Sequence, residues 1–111
     1  MKYEPLGSFS VAEAEGRFTS GHPHAIAETL ISAALHASDS AWVEKRIVQF
    51  ADHGDLGIRR AAALALGHLA RNHGCVGDAA VAAVEALTDD AALSGAAQDA
   101  LEDVEIFTRP K

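Results

Sequence analysis

Apolar residues recur three or four positions apart in six successive segments of the chain, which is the spacing of amphipathic α-helices. Ser10, Asp39 and Asp55 stand where helix N-caps are expected, and Gly21 and Gly74 stand where helices should end. Alternating apolar runs and paired hairpin-turn residues do not occur. The pattern therefore predicts an all-α protein. The predicted helices cover residues 11–18, 23–36, 41–52, 56–72, 78–88 and 91–107.

The central and last parts of the chain repeat one pattern, because residues 47–69 match residues 82–104 at an offset of 35 positions. A fixed period of this size is typical of helical units that bury their apolar faces by stacking on their neighbours. We therefore expect one domain, residues 1–111, built as a short right-handed α-solenoid of three antiparallel helix pairs. The pairs are expected at about 11–36, 41–72 and 78–107.

The expected core contains few large rings, because 49% of the 111 residues are hydrophobic but 5% are aromatic. The apolar stripe predicted for the fourth helix consists of Ile58, Ala61, Ala62, Ala65, Leu66 and Leu69. That of the sixth consists of Leu93, Ala97, Ala100, Leu101 and Val104. The single Cys75 excludes an internal disulfide, and no run approaches the ~20 apolar residues of a membrane span. These features predict a cytoplasmic protein that does not enter a membrane.

Charge is distributed unevenly within a formal net charge of −7. Residues 1–71 carry eight acids and seven bases, whereas residues 72–108 carry eight acids and no base. A negative field of this kind repels nucleic-acid phosphate and anionic lipid and attracts a basic protein surface. We therefore expect no nucleic-acid partner, although the acids have an alternative interpretation as a solvated face that keeps the protein soluble.

Residues 58–67, preceded by the turn 52–55, resemble the second helix of HEAT-type repeats. The resemblance implies a ladder between repeat units to which Asp55 and Arg59 contribute. The last unit departs from the pattern, since Ser94 replaces the arginine and Glu102 replaces the glycine. The patterns typical of tetratricopeptide and ankyrin repeats are missing. A HEAT-like repeat protein is therefore the better prediction.

Residues 30–107 also resemble small stand-alone bacterial HEAT-like proteins, through segments 35–39, 41–43, 66–73 and 99–105. Some of those proteins serve as immunity proteins of contact-dependent growth inhibition or other polymorphic toxin–antitoxin systems. The resemblance thus implies a protein-binding function, with a cognate toxin domain or another basic protein surface as the partner. Acidity and small size agree with this, because many delivered toxins are basic nucleases.

A candidate contact surface lies on the second helices of the last two pairs. The repeat offset brings His68 into register with Asp103 and Leu64 into register with Asp99, which places these positions in neighbouring rows. Alternatively, His68, Arg71 and Asp103 form a network that holds the repeats together and contacts no partner. The predicted partner-binding residues are His68, Arg71, Glu85, Asp89, Asp99, Glu102 and Asp103.

No catalytic constellation is recognisable, because the chain has no phosphate-binding glycine loop and no Gly-x-Ser-x-Gly turn. His22 with His24, and His68 with His73 or Cys75, have poor spacing for a metal site. We therefore predict neither enzyme activity, cofactor nor metal. HEAT-like repeats also occur in bilin lyases and DNA-repair glycosylases, so an enzyme remains an alternative, and a scaffold or homodimer is another.

Large apolar residues outside the stripes have two interpretations each. Trp42 is expected to be half-buried between the second and third helices, with an exposed binding anchor as the alternative. Phe18, Ile106 and Phe107 lie near the ends of the stack, where they either cap it or form a contact surface. The oligomeric state does not follow from the sequence.

Overall fold

The computed structural model describes residues 9–108, and this part of the chain folds into six α-helices and one 3-10 helix without a strand. The all-α prediction is confirmed for these residues. The helices are α1 (Val11–Phe18), α2 (Pro23–His36), α3 (Ser40–Ala51), α4 (Leu56–His73), α5 (Asp78–Glu85) and α6 (Ser94–Phe107), with the 3-10 helix at Ala86–Asp89.

Local side-chain hydrogen bonds explain where three of these helices begin. Ser10 accepts from the Glu13 N–H at 3.2 Å, Asp39 from the Trp42 N–H at 3.1 Å, and Asp55 from the N–H three residues further on at 3.0 Å. Each bond satisfies a backbone donor that the first helical turn leaves unpaired. The three predicted N-caps are confirmed.

Left-handed glycines mark two of the chain reversals. Gly74 ends α4 at φ 71°, and Gly21 lies between α1 and α2 at φ 79°. A side chain is strained at such angles, whereas glycine adopts them freely. Both predicted helix stops are confirmed.

The prediction was wrong about the boundary between the fifth and sixth helices. The α-helix ends at Glu85 and continues as the 3-10 helix, and α6 begins at Ser94 instead of residue 91. Asp90 is the cause, because its carboxylate accepts from the Ala92 N–H at 2.9 Å and its carbonyl from the Leu93 N–H at 2.9 Å. These bonds close a turn that delays the helix start.

Helix α4 occupies the centre of the structure. It contacts α2 on one side and α6 on the other, and it also packs against α3, which in turn contacts α5. The smallest dimension of the molecule is 19 Å, which corresponds to two layers of helices about 10 Å in diameter. The row of α2, α4 and α6 forms one layer, and α3 and α5 lie in the other.

Burial follows from the position of each helix in these layers. All six positions of the predicted α4 stripe are buried, and Ala63, Gly67 and Ala70 are buried as well because helices surround α4. In α6, by contrast, Leu101 and Val104 are half-buried although the sequence predicted them to be core residues. Helix α6 is the last in its row, so no helix of the described residues covers one of its sides.

Aromatic side chains attach α1 to α3. The Trp42 ring centroid lies 5.9 Å from that of Phe9 and 6.0 Å from that of Phe18, and the Phe18 centroid lies 5.2 Å from that of Phe50. The Trp42 indole N–H donates to a Glu15 carboxylate oxygen at 3.0 Å. Trp42 is half-buried as predicted. Its partners, however, lie in α1 and just before it, and not in α2. Phe18 is buried, whereas Ile106 and Phe107 are exposed.

Candidate functional site

A groove runs between α4 and α6. The two helices run in the same direction, since residues further along α4 contact residues further along α6. Arg71 meets Asp103, and Gly74 approaches Phe107 further along. The groove has a volume of about 150 Å³. Its lining combines a small, largely apolar floor with charged residues at the rim, and consists of Leu64, Gly67, His68, Arg71, Ala96, Asp99, Ala100 and Asp103.

Gly67 allows the two helices to approach closely. A Cβ atom at this position would lie 2.9 Å from the Asp103 Oδ2 and 3.5 Å from the Ala100 Cα. The first distance is shorter than any normal contact, so a side chain at position 67 would push the carboxylate away. The absence of a side chain therefore seats Asp103 directly over the backbone of α4.

Arg71 and Asp103 form an ion pair across the groove. The Arg71 Nη2 donates to the Asp103 Oδ2 at 3.1 Å. The arginine side chain is 52% exposed, whereas the aspartate side chain is 19% exposed. The carboxylate is thus held in the groove, and the guanidinium reaches it from a side chain that is about half exposed.

His68 lies next to this pair and is half-buried. Burial lowers the pKa of the His68 imidazole from its ordinary value of 6.5, and the positive charge of Arg71 lowers it further, while Asp103 acts in the opposite direction. The ring is therefore neutral at pH 7. It presents a hydrogen-bonding group to the groove and adds no charge there.

The structure brings four of the seven predicted partner-binding residues into the groove, namely His68, Arg71, Asp99 and Asp103. The other three, Glu85, Asp89 and Glu102, are exposed and lie outside its lining. Among residues 9–108, Asp99 takes part in no ion pair. The acids therefore form a dispersed surface in which the Asp99 and Asp103 positions share one concavity.

The two predicted ladder residues, Asp55 and Arg59, have different contacts. Asp55 caps its own helix α4, whereas the Arg59 Nη2 lies 3.9 Å from the Oδ2 of Asp90. Asp90 is the counterpart of Asp55 at the offset of 35. Arg59 therefore pairs with the aspartate that corresponds to Asp55 at this offset.

A second concavity, which the sequence interpretation missed, lies between α3 and α5. Two adjoining cavities of about 420 and 290 Å³ share Val48, whose side chain is 38% exposed. Ala79 and Ala83 form part of the α5 side. Small residues at helical spacing on α5 were the available signal, but the same alanines are equally typical of a buried stripe.

The histidines and the cysteine do not assemble into a metal site within the described residues. No group of three His, Cys, Asp or Glu residues in 9–108 has the geometry to hold an ion. His24 instead contacts Glu28 at 3.3 Å on the surface of α2, and Cys75 is exposed. In the same range no helix is long and apolar enough to span a bilayer.

Comparison with known proteins relates the chain to one solved structure at substantial identity. No protein-family profile matches the sequence, and no curated protein matches it. The chain is similar to a chain in the crystal structure of a CDI (contact-dependent inhibition) complex from Cupriavidus taiwanensis, with 35% identity and a TM-score of 0.76. The similarity covers 96% of this chain and 97% of the other. The protein therefore belongs to the same family as that component of the CDI complex.

Proposed function

We propose that the protein is an immunity protein, which binds a cognate toxin domain and neutralises it by covering its active site. The observation that carries this proposal is the 35% identity, over nearly the full length of both chains, to a component of a CDI complex. The matched chain is part of a complex and therefore binds another protein. We accordingly propose a non-enzymatic role in the cytoplasm.

We further propose that the chain is a single HEAT-like domain with the architecture of a short α-solenoid. The 35-residue offset in the sequence and the side-by-side row of α2, α4 and α6 support this architecture. In such a stack one face of the row is available to a partner. That face includes the groove between α4 and α6.

The proposed contact surface consists of Glu85, Asp89, Asp99, Glu102, Asp103, His68 and Arg71. Four of its five acids are exposed, and the fifth, Asp103, retains partial access through the groove. A surface of this charge attracts a basic partner and accelerates their encounter. The partner class that it fits is a toxin domain with a basic active-site face.

Co-expression tests the proposal directly. The toxin domain encoded beside this chain's gene should arrest growth of a laboratory bacterium when expressed alone, and this chain should restore growth. The purified pair should elute as one complex from a size-exclusion column. A toxin domain from an unrelated system, which this chain should neither bind nor neutralise, is the matched control. Toxicity that persists despite folded, abundant protein would contradict the proposal.

A further inference from the structure

The ion pair in the groove joins the largely buried carboxylate of Asp103 to the long and partly exposed side chain of Arg71. Asp103 is 19% exposed and is wedged over Gly67, whereas Arg71 is 52% exposed and donates to it through one nitrogen. Partly exposed pairs of this kind are weak and exchange readily, because solvent screens them and long side chains lose freedom on pairing. Asp103 therefore has a cation beside it that can be replaced.

The groove retains an excess of negative charge even with this pair formed. Arg71 neutralises Asp103, but Asp99 lines the same groove, is exposed, and has no ion-pair partner among residues 9–108. His68 adds no positive charge at neutral pH. The groove is thus able to accept one more cationic group.

The shape of the groove suits a side chain with an apolar stem and a charged end. Ala96 and Ala100 form a low apolar floor in this groove of about 150 Å³. Lysine and arginine place their methylene stems along apolar surface and keep the charged end near polar groups. The two carboxylates at the rim supply such groups.

We propose that Arg71 occupies, in the free protein, the position that a lysine or arginine of the partner takes in the complex. The partner's side chain lies across Ala96 and Ala100 and donates to Asp99 and Asp103, and Arg71 turns out into solvent. This inference rests on the proposed function, since it names the partner chemistry that the same acidic surface recognises. This refines the role of Arg71 within the proposed contact surface, where it acts as an internal competitor of the partner instead of a direct contact.

The sign of one mutational effect tests this proposal. Arg71→Ala removes the competitor and leaves Asp103 without its cation in the free protein, so the Kd for the cognate toxin domain should fall about 3- to 10-fold. Any loss of an arginine makes the protein more acidic and favours a basic partner in general. Arg60→Ala is therefore the matched control, because Arg60 is an exposed arginine on the same helix outside the groove. The Arg71 variant should gain more than this control.

A second measurement removes the carboxylate. Asp103→Asn introduced together with Arg71→Ala should cancel the gain and weaken binding about 10-fold relative to Arg71→Ala alone. The Asp103→Asn change should also be combined with a Lys→Ala or Arg→Ala substitution at the contacting residue of the toxin. The losses of binding free energy from the two changes should not add, because both remove the same contact. Thermal unfolding of each variant separates these effects from loss of fold. Arg71→Gln serves as a second variant that keeps part of the methylene stem and a polar end but carries no charge.

Three outcomes overturn the inference. Weaker binding by both Arg71 variants would show that Arg71 contacts the partner itself. Unchanged binding, or a gain no larger than that of Arg60→Ala, would show that no exchange takes place. The proposed function would survive each of these results as long as the wild-type protein binds the toxin. Failure of the wild-type protein to bind would instead remove the proposed function.

Discussion

The carboxylate of Glu44 on α3 accepts a hydrogen bond from the backbone N–H of Gly77 at 2.7 Å, directly before α5 begins. The Gly77 N–H has no partner within the helix, and an acid 33 positions earlier supplies the acceptor. The bond joins α3 to α5, which lie in the same layer, and places a negative charge near a helix N-terminus, where the helix dipole favours it. One residue thus couples helix capping to tertiary packing.

A double-mutant cycle measures this coupling. Glu44→Ala should reduce the free energy of unfolding by about 1 kcal/mol, as the loss of a capping interaction does. Gly77→Ala should also destabilise, because its Cβ would lie 2.5 Å from the Glu44 Oε1 and displace the carboxylate. Gly77→Ala should cost much less when Glu44 is already alanine. Additive costs in urea unfolding would mean that the two residues do not interact.

The central helix should be the most sensitive part of the core. Leu66 is fully buried in α4, so Leu66→Ala leaves a cavity and should lower the free energy of unfolding by about 2 to 5 kcal/mol. Leu56, which is 45% exposed on the same helix, provides the control, and Leu56→Ala should change stability by about 0.5 kcal/mol or less. Equal melting temperatures for the two variants would contradict the packing of α4.

Stability should fall on mild acidification, and His68 should contribute to that fall. Because burial and Arg71 hold the pKa of His68 below 6.5 in the folded state, the unfolded chain binds the proton more readily. The contribution of His68 to the free energy of unfolding is therefore fully present above pH 6.5, and it is lost as the pH falls from there towards the folded-state pKa. His68→Gln should flatten this part of the profile. His22→Gln, at an exposed histidine, is the control and should leave the decrease in place.

Toxin binding should depend on Asp99 and on salt. Asp99→Lys should slow association with the cognate toxin domain, and added salt should reduce the difference because charge steering is screened over about 10 Å at 0.1 M ionic strength. The fold should remain, since Asp99 is exposed and has no ion pair within 9–108. Asp78→Lys changes the charge equally on α5, away from the groove, and should slow association less. Identical rates for wild type and both variants, without salt dependence, would exclude the acidic-surface mechanism.

Removal of metal ions should leave the protein unchanged. Dialysis against a chelator is expected to leave the melting temperature at its starting value, because the His, Cys, Asp and Glu residues of 9–108 form no group that could hold an ion. A large decrease would restore the interpretation in which His68, His73 and Cys75 bind a metal.

Local interactions explain why the sequence was sufficient to predict most of the helices. Ser10, Asp39 and Asp55 bond to backbone groups three residues away, and Gly74 ends α4 through its own φ angle, so each signal acts within one helical turn. The boundary at 90–93 was missed for a related reason. The Asp90 turn competes with a helix over the same residues, and the sequence pattern favours both.

The 35-residue offset also predicts that His68, Asp99 and Asp103 share one surface. What the sequence left open was which cation meets which carboxylate. The structure pairs Arg71 with Asp103 and leaves Asp99 outside any ion pair among residues 9–108. That choice depends on the separation of α4 and α6, which Gly67 and the small residues facing it allow to be short.

The sequence by itself therefore determined most of the helices and their caps, because these depend on contacts between residues a few positions apart. Only the tertiary structure decided how far Asp103 is buried and that Arg71 pairs with it. It also decided that Arg59 pairs with Asp90, since each of these features depends on a distance between helices. Such distances result from the packing of the whole core. A difference of one or two ångströms there decides whether an ion pair forms, and no local pattern specifies it.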